Sequence, residues 1–179
     1  MTQVGNTYGE ALYSLTKEEG CSLTVLEELK VLEESFSAEP DFLRLLAAPN
    51  LSKEARCGIL DESFRGKVHP YVLNFLKILT ERGSIRSFPD CCKVFREAYN
   101  RDNGILEVCA VTAVALSREQ ISKLSEKLQK ITGKTIDLVN RVDAACMGGV
   151  RLDYDGMRVD DTVAHRLDAI HMLLKNTVL

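Results

Sequence analysis

The feature that most constrains this fold is a change of period at Asn103-Gly104. Before it, apolar residues recur every three to four positions, the spacing of one face of a helix. Directly after it, Ile105 to Thr112 is a run of β-branched and apolar residues that reads as a strand. A chain that switches period once in this way predicts two units: helices that pack on each other, followed by a mixed α/β arrangement. At 179 residues there is length for two small domains, each with its own core.

Six short helices are expected before the switch. Tyr8, Ala11, Leu12 and Leu15 form one stripe, and Val25, Leu29, Leu32 and Phe36 form the next, with Glu27, Glu28, Lys30, Glu33 and Glu34 between them as a solvated face. Pro40 suits the first turn of a third helix running to Leu46, with Pro49 as its stop, and Ser52 is placed to cap a fourth that carries Ile59, Leu60 and Phe64. A fifth opens at Pro70 with Val72, Leu73, Leu76 and Leu79 in one stripe and ends at Gly83. The sixth presents Phe88, Cys92, Phe95 and Tyr99 and closes at Gly104. Short loops make neighbours of successive helices, so a six-helix bundle follows.

After the first strand, Ser117-Arg118-Glu119-Gln120 is a capping box, opening a helix with Ile121, Leu124, Leu128 and Ile131 that Gly133 ends. Ile136 to Val142 reads as a second strand. Val150 to Tyr154 and Met157 to Asp160 flank Asp155-Gly156, a two-residue hairpin turn, and Thr162 caps a last helix bearing Val163, Leu167, Ile170 and Leu174. The expected class is therefore α+β, mostly α: a helical bundle over residues 1–104, then a small α/β domain with a β-hairpin over 105–179.

Charge and motif content argue against several functions. Basic and acidic residues number 13 and 16 before Gly104 and 10 and 10 from there on, so neither half suits nucleic acid. No apolar run approaches the ~20 residues of a membrane helix, so no direct membrane insertion is expected, and the opening residues do not read as a targeting leader. The six cysteines form no C-x-x-C pair, and Cys91 and Cys92 are adjacent, which favours reduced thiols. Gly133-Lys134-Thr135 looks like the end of a phosphate-binding loop. However, Leu128 stands where a further glycine is required, and the segment leads from helix to strand instead of strand to helix. His69, His165 and His171 have no second ligand at metal spacing, no nucleophile elbow occurs, and Asp153, Asp155, Asp160 and Asp161 suit a hairpin and a helix start. No catalytic, cofactor-binding or metal-binding residues are assigned, and a binding or structural role is favoured over an enzyme.

The more specific signal is a linear one. Val142-Asp143, Met147-Gly148-Gly149-Val150, Arg158-Val159-Asp160-Asp161-Thr162-Val163 and Arg166-Leu167 occur in that order. Together they resemble the signature of the δ subunit of bacterial F-type ATP synthase, the family that includes the mitochondrial oligomycin-sensitivity-conferring protein (OSCP). Tyr8, Ala11 and Leu12 are similar to its opening Y-x-x-A-L helix, and Leu51-Ser52-Lys53, Asn74-Phe75-Leu76 and Ala113 to Gln120 resemble further elements, so the likeness runs nearly end to end. There are two departures. Arg82-Gly83-Ser84 stands where N-G-R is common, which moves any arginine contact to Arg82 or Arg86, and Met147 replaces a common isoleucine.

The resemblance implies a non-catalytic, single-copy peripheral-stalk subunit on the cytoplasmic face of a bacterial cell membrane. Its amino-terminal domain would cap the F1 head, meeting the α and β subunits, and its carboxy-terminal domain would grip the F0 b subunit. It places a groove for the amino-terminal helix of an F1 α subunit between the first and fifth helices, with Tyr8, Leu12, Leu15, Phe75, Leu76 and Leu79 as its candidate walls and Ile78 adding to the apolar surface. Gly148, Gly149, Thr162, Leu167, Ile170 and Leu174 are the candidates for the b-subunit contact. Two other readings stay open from the residues alone: a generic cytosolic helical adaptor, and an enzyme whose site assembles from distant positions.

Overall fold

The computed structural model describes residues 3–48, 51–163 and 165. The chain divides into two compact units, Met1–Tyr99 and Asn100–Leu179. It is mostly helical with one small sheet. Six α-helices precede the first strand: α1 (Gln3–Glu18), α2 (Ser22–Ala38), α3 (Pro40–Leu46), α4 (Lys53–Phe64), α5 (Pro70–Glu81) and α6 (Phe88–Asp102). The second unit contains β1 (Ile105–Thr112), α7 (Arg118–Thr132), β2 (Thr135–Val142), β3 (Val150–Tyr154) and β4 (Met157–Asp160).

The ends of these helices obey local chemistry. The Ser52 hydroxyl accepts from the Ala55 amide at 3.1 Å to start α4, and Pro40 and Pro70 occupy first-turn positions where a missing N–H costs nothing. His69 caps α5, its Nδ1 accepting from the Tyr71 amide at 3.3 Å. Across the first unit, Val25, Leu29, Leu32 and Phe36 of α2 meet Val72, Leu76 and Leu79 of α5, and Phe88, Cys92 and Phe95 of α6, in one buried cluster. The Phe36 ring lies 5.1 Å from Phe88 and 5.6 Å from Phe42, and Tyr13 meets Phe95 edge-on at 5.5 Å.

One stripe is rotated from expectation. The inward face of α1 is Gly5, Gly9, Leu12, Tyr13 and Thr16, while Ala11 and Leu15 are exposed. The reason is close approach. A Cβ on Gly9 would stand 2.7 Å from the Cys91 carbonyl oxygen and 2.9 Å from Val94 Cβ, so α1 settles onto α6 across a glycine that a search for large apolar residues passes over. Two short 3-10 turns, Ile85–Ser87 and Ala144–Cys146, add to the expected elements.

In the second unit the strand order is β2-β1-β3-β4. Strands β1 and β2 are parallel, from Ile105 beside Thr135 to Thr112 beside Val142, and α7 makes the crossover that parallel neighbours require. Strand β3 runs antiparallel to β1 and turns into β4 through Asp155 and Gly156, both at positive φ as that turn demands. The capping box of α7 is complete, with Ser117 Oγ accepting from the Gln120 amide and Gln120 Oε1 from the Ser117 amide, and Gly133 ends the helix at φ 68°. Of the expected last helix, Val163 and His165 are helical and the remainder, including Leu167, Ile170 and Leu174, lies outside the described residues, as does Pro49.

Candidate functional site

Of the six candidate walls of an amino-terminal groove, four are in the core of their own unit. Leu76 and Leu79 are fully buried and Leu12 and Phe75 nearly so. Tyr8 is half-buried against that core, and Leu15 is 41% exposed. Ile78, on the outward side of α5, is 43% exposed. Helices α1 and α5 do pack together, and the large apolar side chains they leave exposed are Leu15 and Ile78, while Leu12, Phe75, Leu76 and Leu79 are spent on the core of the unit. The helix α5 is apolar on more than one side because it is central, packing against α1, α2 and α4. Arg82 and Arg86 are both exposed.

The carboxy-terminal signature forms a backbone lock. Gly149 sits at φ 79°, and a Cβ there would collide with the Asp161 carbonyl oxygen and stand 3.0 Å from Thr162 Cα. The two segments can be that close only because the residue is glycine. Hydrogen bonds then tie them: the Val163 amide donates to the Gly148 carbonyl at 3.0 Å, and the Asp161 amide to the Val150 carbonyl at 3.2 Å. Asp160 accepts from both the amide and the hydroxyl of Thr162, at 3.0 and 2.6 Å, and Thr162 Oγ1 accepts from the His165 amide at 3.2 Å, the expected helix cap. The hydroxyl and amide of Thr162 hold the Asp160 carboxyl below the usual carboxylate range. Beside it, Arg158 donates to Asp153 at 2.8 Å and depresses that carboxyl as well.

Thr162 is buried, and Gly148 and Gly149 carry no side chain to offer a partner. Their placement explains the signature as a requirement of the fold. Met147 at φ 59° is 70% exposed, so what counts there is a left-handed backbone, which an unbranched side chain tolerates better than a β-branched one, and not the volume of the side chain.

Residues that resembled chemistry have structural occupations. His69 is a helix cap, and the Lys134 amide donates to Thr132 Oγ1 at the end of α7 as the chain enters β2. All six cysteines are free, and burial pushes the Cys91 thiol up to about 11 and Cys92 higher still, which keeps both as inert thiols. Among the described residues no cluster of His, Cys, Asp and Glu could hold a metal ion, and no helix is long and apolar enough to cross a membrane. Sequence reading had no hold on Arg151, three-quarters or more buried between Asp153 and the paired position of Asp160, because its environment is built by strand register. Gly9 did leave a signal, an isolated glycine inside a helical pattern.

Comparison with known proteins agrees over nearly the full length. The chain is 29% identical over 176 residues to an ATP synthase subunit delta of Clostridioides difficile, covering 98% of this chain and 97% of that one. It is 30% identical over 164 residues to that of Alkaliphilus oremlandii, covering 92% and 91%. Its fold is similar to a chain of the Toxoplasma gondii mitochondrial ATP synthase hexamer, with a TM-score of 0.78, 19% identity, and coverage of 97% and 98%. The family described as ATP synthase delta (OSCP) subunit matches residues 4–174. With a helical unit, a four-stranded sheet locked at Gly148-Gly149 and this match, the chain belongs to the ATP synthase delta (OSCP) subunit family.

Proposed function

We propose that this chain is the peripheral-stalk connector of an F-type ATP synthase, without an active site of its own, holding the F1 head against the torque of the rotor during ion-driven ATP synthesis. The observation that carries the reading is the family match across residues 4–174. In this reading residues 1–104 act as a six-helix bundle at the top of F1, against the α and β subunits. Residues 105–179 hold the F0 b subunit, and one copy works at the cytoplasmic face of the cell membrane. A static connector needs affinity and stiffness, not chemistry, which suits a site made of exposed apolar side chains on a packed scaffold.

The exposure of Leu15 and Ile78 supports a partner surface on α1 and α5, and the burial of Leu79 supplies its control. Charge on an exposed groove residue abolishes association and spares the fold, whereas charge in the core unfolds the unit. Leu15→Asp and Ile78→Asp are therefore expected to melt as wild type and to lose a synthetic F1 α amino-terminal helix, while Leu79→Asp fails to fold. If the two surface variants bind that peptide as tightly as wild type, the F1 contact is not on these helices. An affinity pull-down from a membrane fraction that recovers no F1 subunit would end the connector reading itself.

A further inference from the structure

Helix α7 is strongly amphipathic, yet it fully buries none of its residues. Its apolar stripe leaves Ile121, Leu124 and Leu128 half-buried over β2, and Ile131, at the end of the same stripe, is 81% exposed. A helix held by tertiary packing normally sinks such a stripe into its own core. The charge around it is equally one-sided. Residues 118–134 hold five cations and two anions, in a chain whose net charge is −3. Both anions are already engaged, Glu119 by Lys123 at 2.6 Å and Glu126 by the Ser122 hydroxyl at 3.3 Å. Lys127, Lys130 and Lys134 make no ion pair among the described residues. A lysine in the last turn suits the helix dipole, which accounts for Lys130 but not for an exposed isoleucine among three ammonium groups that have no carboxylate partner among the described residues.

We propose that α7 is the docking face for an acidic amphipathic helix, whose apolar side covers Leu128 and Ile131 and whose carboxylates pair with Lys127, Lys130 and Lys134. The positions fit. On a helix, 127 and 131 are four apart and 127 and 130 three apart, so these side chains border one groove, and Lys134 follows directly after the cap. Helix-on-helix docking uses such a stripe with flanking charge for register and encounter rate. An anionic membrane is the less suited partner, since helices that lie in a bilayer interface present a broad apolar face with aromatic anchors, and α7 has no aromatic residue and one free apolar side chain. The inference rests on the connector reading, in which the second unit grips a partner.

The test uses the full chain and a designed peptide of about 20 residues, long enough to hold a helix, with leucines at i, i+3, i+4 and i+7 and glutamates elsewhere. A counterpart carries lysine for every glutamate, and vesicles of equal phosphatidylglycerol and phosphatidylcholine form the third arm. Saturable binding of the acidic peptide, with amide shifts mapping to α7, is expected. It should weaken at least about tenfold in Lys127→Glu/Lys130→Glu and in Ile131→Asp, and severalfold when salt rises enough to screen surface charge. All are surface changes that leave the fold intact, with the melt of Lys127→Glu/Lys130→Glu lowered by only a few degrees through the helix dipole. Absence of binding, equal binding of both peptides, unchanged affinity in the variants, or binding to the vesicles alone each overturns the proposal. A pull-down separates the two levels: if wild type and the α7 variants recover ATP synthase subunits equally, the docking face is wrong and the connector stands, whereas if wild type recovers none, the connector reading fails.

Discussion

Replacing Gly9 by alanine asks whether the α1–α6 contact is as tight as its geometry states. The new methyl would meet the Cys91 carbonyl oxygen at 2.7 Å and Val94 Cβ at 2.9 Å, whereas a comfortable separation is about 3.5–4 Å. Helix α1 must withdraw by roughly 0.5–1 Å, which loosens Leu12 and Tyr13 where they enter the core. Overpacking of this kind costs about 3 kcal/mol. Alanine returns about 1 kcal/mol of helix propensity over glycine, so the net loss is about 2 kcal/mol. For a unit of this size that lowers the midpoint by roughly 10 °C. The same substitution in α4 is the control, because a Cβ on Gly58 meets nothing within 4 Å. There only the propensity gain of about 1 kcal/mol acts, and the melt should rise by roughly 5 °C. Helical circular dichroism on both variants reads the difference in sign. Should Gly9→Ala raise the midpoint in step with Gly58→Ala, α1 does not rest on α6 through this glycine and the account of its rotated stripe is wrong.

Two further outcomes follow from the second unit. Gly149→Ala combines a left-handed backbone, about 1–2 kcal/mol for any residue with a Cβ, with a collision against Asp161, and should cost about 3 kcal/mol or more. Gly156→Ala, whose Cβ meets open space at φ 73°, should cost about 1 kcal/mol, and urea unfolding followed at β3 and β4 distinguishes them, equal losses refuting the lock. The Asp153 and Asp160 carboxyls are depressed in the folded state. The stability they contribute is therefore present above the unfolded value of about 3.9 and is lost as pH falls through their folded values. The urea midpoint of the sheet should fall below about pH 4, less steeply in Asp153→Asn, and an unchanged slope in that variant would remove the Arg158 pair as a cause.

What the sequence determined is what local chemistry determines. Ser52, Ser117 and Thr162 begin helices because a hydroxyl reaches an amide three residues on, Gly133 ends one because glycine turns left-handed without strain, and Asp155-Gly156 makes a hairpin because aspartate tolerates and glycine readily adopts the positive φ of that turn. The ordered signature around Gly148-Gly149 identified the family from residues alone, since the backbone approach it encodes admits few substitutes. Burial is another matter, because it depends on what arrives from elsewhere in the chain. Leu15 and Leu79 look alike in sequence, yet one is 41% exposed and the other fully buried, according to which helices close over them. The strand order, the setting of Arg151 and the open stripe of α7 are likewise products of register and packing. A period says that a helix has an apolar side, and only the tertiary structure decides whether that side is spent on the core or left for a partner.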